Sequence, residues 1–166
     1  GIYFVKKYSD LDQESMKSYD YIAQHYIPNP FLIDNKKFDF RFYLMIKGVE
    51  EMEAFIAFEG LVRFCTEDYT EPAPLSESDD DAEGEYQFME DKPKDNLKGH
   101  LTNYCLNKES EKYVDNANFK STDDGTKRLL SSVLKTMEAK GINIEKFKAD
   151  TRDICTKIVY ALRPHI

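Results

Sequence analysis

No run of 18 apolar residues occurs in this 166-residue chain, so no helical membrane span is expected. Cys-x-x-Cys pairs are also absent. Cys65, Cys105 and Cys155 are odd in number and far apart, which argues against a zinc module or a disulfide framework and leaves reduced cytosolic thiols as the reading. His25, His100 and His165 are equally scattered and support neither a metal cluster nor a Ser-His-Asp triad. The start, Gly1 to Val5, lacks the charged beginning and long apolar stretch of a secretory signal; opening on Gly rather than Met points to a fragment or a processed product. A basic surplus is missing as well. The net charge is −8, yet residues 67–98 hold 12 acidic and three basic side chains, against 19 and 20 elsewhere. The acidity belongs to one segment, the remainder is nearly neutral, and nucleic-acid binding is excluded as a class.

What is present suits one moderate core, with 41% hydrophobic residues. Ile2 to Val5 reads as a short strand, Ser9 to Tyr19 as a loop or short helix, and Tyr21 to Ile27 as a strand stopped by Pro28-Asn29-Pro30. Lys37 to Ile46 alternates with period two, placing Phe38, Phe40, Phe42, Leu44 and Ile46 on one face. Gly48 opens a turn into a strand over Ala54–Phe58, and Leu61–Phe64 follows Gly60 as another, giving an antiparallel sheet with one buried face. Residues 70–92, with Pro72, Pro74, Gly84 and the Asp79-Asp80-Asp81 run, are too polar to offset their ordering entropy and read as a disordered acidic insertion. Ser76 and Ser78 beside its acidic residues are a weak phosphorylation signal. Beyond it the chain turns helical. Thr126 is the expected N-cap of a helix with Leu129, Leu130, Val133, Leu134 and Met137 as its stripe and Gly141 as its stop. A second helix runs from about Asp150, with Ile154, Ile158 and Leu162 four apart, to near Pro164.

Three local patterns carry candidate chemistry. Lys37, Asp39 and Arg41 fall on the second face of their strand, about 7 Å apart. They form either a surface ion-pair ladder or a nucleotide site, with Asp39 accepting from a ribose and the two cations attracting phosphates. Arg63, set between Val62 and Phe64, needs an anionic partner if it is even partly buried; a structural ion pair and an anion-binding role both satisfy that. Thr102-Asn103, between apolar residues, either caps a turn or donates to phosphate oxygens.

Taken in order, the segments Gln24-His25-Tyr26-Ile27-Pro28-Asn29-Pro30-Phe31-Leu32-Ile33-Asp34, Lys37-Phe38-Asp39-Phe40-Arg41, Glu59-Gly60-Leu61-Val62-Arg63-Phe64, His100-Leu101-Thr102-Asn103-Tyr104 and Gly125-Thr126-Lys127-Arg128 resemble the tubulin tyrosine ligase-like family. The resemblance spans nearly the whole chain. It implies an α/β (α+β) chain, residues 1–166 being the central part of an ATP-grasp domain: an antiparallel or mixed sheet followed by two helices. It implies ATP and Mg2+ as cofactors, tubulin or microtubules and free glutamate as partners, a monomer, and the cytoplasm and its microtubule cytoskeleton, cilium and basal body included, as the place of action. The implied reaction is ATP-dependent addition of glutamate to tubulin through an acylphosphate. Positioning and charge neutralisation then do the catalytic work, which agrees with the lack of any nucleophile–base pair.

Residue by residue, the resemblance places Gln24, His25, Tyr26 and Ile27 at a hinge that reads adenine, Lys37, Asp39, Thr102 and Asn103 on the nucleotide, and Gly1 at the end of a phosphate-covering loop. Arg41 falls near the phosphates and Arg63 faces both the reacting phosphate and the incoming amino acid, which Tyr104, Cys105 and Lys127 also hold. There are departures. Phe58 stands where the family usually has a basic residue before Glu-Gly, and the connection from Tyr69 to His100 is longer and more acidic than usual. The family's magnesium-holding Asp and Glu-x-Asn are expected downstream of Ile166, so the chain alone is expected to be inactive, and its missing flanking strands to make it poorly soluble. The alternatives are a tubulin glycine or tyrosine ligase, or a non-catalytic truncated member that binds tubulin or microtubules. A protein kinase is excluded, since neither His-Arg-Asp nor Asp-Phe-Gly appears.

Overall fold

The computed structural model describes residues 13–71, 93–115 and 125–165. Gly1, the Ile2–Val5 strand and all but the first two residues of the acidic insertion lie outside them. In order along the chain come α1 (Gln13–Met16), β1 (Phe38–Arg41), β2 (Leu44–Lys47), β3 (Glu53–Ile56), β4 (Leu61–Phe64), α2 (Pro93–His100), α3 (Tyr104–Asn107), β5 (Lys127–Leu129), α4 (Leu130–Ala139) and α5 (Ile144–Leu162), closed by a 3-10 turn at Arg163–His165. The chain is mixed α and β with antiparallel pairing, as the sequence implies.

Strand β4 is the centre of a three-stranded sheet in the order β1-β4-β5, while β2 and β3 form a separate hairpin. The single strand expected over Lys37–Ile46 is thus two. Its period-two alternation survives the break: Phe42, Leu44 and Ile46 are half-buried, and Tyr43, Met45 and Lys47 are exposed. The break arises because the two halves pair with different partners, Phe38–Arg41 with β4 and Leu44–Lys47 with β3. Ahead of β1, Ile33 and Lys36 bridge across a two-residue turn in which Asp34 and Asn35 both have positive φ, 54° and 58°, a conformation these two residue types tolerate.

The core lies on one face of the three-stranded sheet. Val62 and Phe64 of β4 are buried with Ile33 and with Leu130, Val133 and Met137 of α4. Phe38, Phe40 and Phe42 pack around them, and Phe147 of α5 closes the aromatic cluster with its ring 5.0 Å from that of Phe40. Gly141, at φ 86°, ends α4 as expected.

Three expectations are corrected. Tyr21–Ile27 is irregular rather than a strand: it makes no ladder among the described residues, and Ile22 and Ile27 are exposed. Thr126 does not cap α4, because Lys127–Leu129 is a strand and the helix starts at Leu130. Thr126 instead leads into β5: its carbonyl accepts from the Phe64 amide at 2.8 Å, and its hydroxyl accepts from the Val114 amide at 3.0 Å. Finally, α5 begins six residues before Asp150, because Asn143 caps it by accepting from the Lys146 amide at 2.9 Å. With Phe147 fixed against the sheet, the helix turns Thr151, Cys155 and Val159 inward and leaves Ile154, Ile158 and Leu162 exposed.

Gly60 sets the entry to β4. A Cβ there would lie 2.7 Å from the Arg41 carbonyl oxygen and 3.5 Å from Leu130 Cδ2, so β1 and α4 approach as closely as they do only over a glycine. Gly60→Ala is therefore expected to destabilise the fold by about 1–3 kcal/mol through overpacking. Urea unfolding measures this, and an unchanged midpoint would show that β1 and β4 part freely.

Candidate functional site

The face of the sheet opposite the core carries charge. Antiparallel register puts Asp39 beside Arg63 and Arg63 beside Lys127, so three strands each contribute one ionisable side chain to a single row. Alternation explains this arrangement. Because Val62 and Phe64 point into the core, Arg63 has to point out of it. Arg63 donates through Nε to Asp39 Oδ1 at 2.9 Å and through Nη2 to Oδ2, a two-pronged pair that holds the guanidinium in its charged form. The anionic partner expected for Arg63 is thus Asp39. Lys127 Nζ lies 4.0 Å from the centre of the Tyr104 ring, a cation–π contact that joins α3 to the row. Cys105 is exposed beside Tyr104, and Arg41 is exposed at the end of β1.

Two residues before Asp39 stands Lys37, joined to the exit of β4 through its carbonyl, which accepts from the Cys65 amide at 2.9 Å. Burial lowers the affinity of the Lys37 amine for its proton, against the opposing influence of Cys65 and Asp39. Burial likewise pushes the Cys65 thiol up to about 12, so it remains neutral. Lys37 Nζ donates to the Tyr26 hydroxyl at 3.3 Å and lies 4.3 Å from that ring's centre. Tyr26 is the one half-buried residue of the Gln24–Ile27 segment; Gln24, His25 and Ile27 are exposed. Its hydroxyl meets His100 Nδ1 at 2.7 Å, and burial raises its pKa. One tyrosine thus fastens an otherwise irregular segment to the sheet.

Thr102 and Asn103 are half-buried and lead directly into α3. Asn103 occupies the N-cap position of that helix but makes no side-chain capping bond. Of the two readings of this pair, the turn-capping one therefore lacks its bond at Asn103. The structure brings together Tyr26, Lys37, Asp39, Arg63, Lys127 and Tyr104 of the residues anticipated from sequence.

Several residues with positioning roles were not singled out from sequence. His100 and Tyr69 pack edge to face, ring centres 5.1 Å apart, behind Tyr26. Arg128 pins the Gly125–Arg128 motif in place by donating to Asp34 Oδ2 at 2.8 Å and to the Gly125 carbonyl at 3.1 Å. Asn107 is buried beneath Thr102–Tyr104. Positioning residues of this kind leave no periodic signal; only spatial neighbours reveal them. A groove of about 1040 Å³ between the β2–β3 hairpin, α4 and α5 is lined by none of the anticipated site residues. Among the described residues, no three His, Cys, Asp or Glu side chains cluster as a metal donor set, and no helix is long and apolar enough to cross a membrane.

Residues 1–164 match the tubulin-tyrosine ligase family. Among curated relatives, tubulin polyglutamylase TTLL11 of Homo sapiens is 36% identical over 167 residues, covering all of this chain and 21% of that protein. Tubulin polyglutamylase ttll-11 of Caenorhabditis elegans is 33% identical over 167 residues, with the same coverage of both chains. Tubulin polyglutamylase ttll6 of Danio rerio is 36% identical over 165 residues, 99% of this chain and 18% of that protein. The chain thus spans about a fifth of the length of these relatives.

His100 makes the site's clasp sensitive to acid. Burial, reinforced by Lys37, holds its pKa down at about 4, against an ordinary 6.5. Between those values the unfolded chain takes up a proton that the folded one refuses, so stability is complete above pH 6.5 and falls as the pH drops toward 4. The expected loss between pH 7 and pH 5 is about 2 kcal/mol from this group. Urea unfolding at the two pH values, wild type against His100→Gln, measures it; equal losses in both proteins would refute the assignment.

Proposed function

The chain belongs to the tubulin-tyrosine ligase family, and on that premise we propose that it carries part of the site of an ATP-dependent ligase that adds glutamate to tubulin. The observation that carries this reading is the row Asp39–Arg63–Lys127, with Tyr104 packed on the lysine. It places an acceptor for hydroxyls, a forked cation and a point cation side by side, which is what a nucleotide and a free amino acid jointly need. The names of the relatives support the choice of glutamate over glycine or tyrosine.

In this reading the fold is part of an ATP-grasp domain. Tyr26 and its neighbours Gln24, His25 and Ile27 form the adenine hinge, Lys37, Asp39, Thr102 and Asn103 hold the nucleotide, and Arg41 lies toward the phosphates. The residues present fit ATP: Lys37 and Arg63 supply positive charge beside the Asp39 acceptor on one face. The γ-phosphoryl group passes to a carboxylate oxygen of the acceptor protein and ADP leaves. The amine of glutamate then attacks the acyl carbon, loses a proton and expels phosphate, forming an amide. Arg63 neutralises charge on the transferred group, a contribution of about 3–4 kcal/mol when made by a preorganised donor. Lys127, Tyr104 and Cys105 hold the amino acid, whose carboxylate pairs with a cation. Magnesium, when bound, would neutralise charge on the phosphates; the described residues bring together no three-donor set for it.

Incubating the full-length protein with tubulin, ATP and labelled glutamate, glycine and tyrosine in competition tests the reading. Glutamate is the label expected in tubulin. Preferred glycine or tyrosine overturns the choice of amino acid, and no ATP-dependent label at all favours a tubulin-binding module. Arg63→Lys keeps the charge but loses the fork. It is expected to lower kcat by about a hundredfold while costing at most about 1 kcal/mol of stability, because the pair with Asp39 is partly exposed.

A further inference from the structure

Asn107 ends α3, carries none of the anticipated contacts and is 1% exposed. A primary amide has two acceptor sites on oxygen and two N–H donors, and burying any of them unpaired is costly. Asn107 uses all four. Its Oδ1 accepts from the Thr66 amide and from the Thr66 hydroxyl, each at 2.9 Å. Its Nδ2 donates to the Leu101 carbonyl at 2.7 Å and to the Asn103 carbonyl at 3.0 Å. Those partners belong to two separate parts of the site. Thr66 is three residues beyond Arg63, on the exit from β4. Leu101 and Asn103 bracket Thr102, and Tyr104, the partner of Lys127, follows directly.

We propose that Asn107 is a positioning residue: it sets the Thr102–Tyr104 segment, which meets both nucleotide and amino acid, at a fixed distance and angle from Arg63. The proposal rests on the ligase reading and deepens it. Three features support a positioning role over a simple filling of space. The amide spans two segments 41 residues apart in sequence. It grips carbonyls on either side of Thr102, fixing the backbone of that half-buried residue. It also adds its Nδ2 to the Asn103 carbonyl that the Leu106 and Asn107 amides already bond, tying down the start of α3. A hydrophobic residue of equal size would fill the same volume and fix none of this.

The test uses the full-length protein and three variants. Asn107→Asp is isosteric and still accepts from Thr66, but it cannot donate to Leu101 or Asn103. The expected result is a rise of about tenfold or more in KM for both ATP and glutamate, with a smaller change in kcat, as for the loss of one to two buried hydrogen bonds. The dissociation constant of ADP, read by calorimetry, should rise by a similar factor. Asn143→Ala removes the α5 cap and serves as a stability-matched control. It should lower Tm without moving KM or the ADP affinity. Should Asn107→Asp fail to fold, Thr66→Val deletes only the hydroxyl donor, and a several-fold rise in KM for ATP is expected. Unchanged KM and ADP affinity in folded Asn107→Asp or Thr66→Val, or an equal shift in Asn143→Ala, overturns the proposal. A wild type that binds ADP but ligates nothing overturns the ligase reading, while the ADP affinities of the variants still decide whether Asn107 positions the site.

Discussion

Strand β4 is paired on both edges, and its four residues, Leu61 to Phe64, must meet two demands at once. Val62 and Phe64, 0% and 1% exposed, are the middle of the core; truncating a buried phenylalanine of this kind costs about 3–5 kcal/mol. The pleat then leaves no choice about Arg63. It is driven to the other face, where the register of β1 and β5 has already fixed Asp39 and Lys127 as its neighbours. A slip of one residue would bury the guanidinium and expose Phe64. The same hydrophobic packing that holds the sheet therefore sets the geometry of the charged row, and the row can be accurate to the extent that the core is tight.

The residues flanking β4 reinforce that lock. Gly60 admits the Arg41 carbonyl, and its own carbonyl accepts from the Leu130 amide at 2.9 Å, carrying the ladder into the start of α4. Glu59 Oε1 accepts from the Gly60 amide at 2.9 Å and from the Ser131 amide at 3.1 Å, satisfying backbone donors at the beginning of α4. Burial alone would raise the pKa of that carboxyl. The hydrogen bonds from Ser131, Gly60 and Leu130 outweigh it, so the acid is held below its ordinary value. Glu-Gly ahead of Leu-Val-Arg-Phe is thus a joint between helix and strand, and Phe58, 98% exposed in front of it, takes no part.

How much of this was legible follows from which signals are local. The period of two in Phe38 to Ile46 and the apolar–cation–apolar pattern of β4 are local, and both appear in the structure with the faces anticipated. The break between β1 and β2 is not local, since it depends on which partner each half finds. Lys127–Leu129 is too short to show any period, and a threonine before a leucine-rich stripe resembles a helix start, so β5 was absorbed into α4. The rotation of α5 is not local either: Ile154, Ile158 and Leu162 are more apolar than Thr151 and Cys155, yet the docking of Phe147 on Phe40 turns the latter inward. At the site, the charged residues were legible because ionisable groups at alternate strand positions stand out. The polar residues that brace them, Asn107, His100 and Tyr69, act through partners far away in sequence and give no such sign.

One tension between structure and function resolves on counting lone pairs and protons. Asp39 and Arg63 are bonded to each other, yet the reading needs the first for ribose hydroxyls and the second for phosphate and amino acid. A guanidinium has five N–H donors, and the pair uses two of them; a carboxylate has about four acceptor sites, and again two are used. Each partner therefore keeps capacity for a ligand without breaking the pair. The pair has a further consequence. An unaccompanied Arg63 would be free to swing across a partly exposed face, whereas one clamped by two parallel bonds presents its remaining N–H groups in fixed directions. Holding a cation with an anion lowers its net attraction for phosphate but spares a ligand the work of ordering it, and in the proposed ligation, which would be governed by positioning, that exchange favours the bound, aligned state.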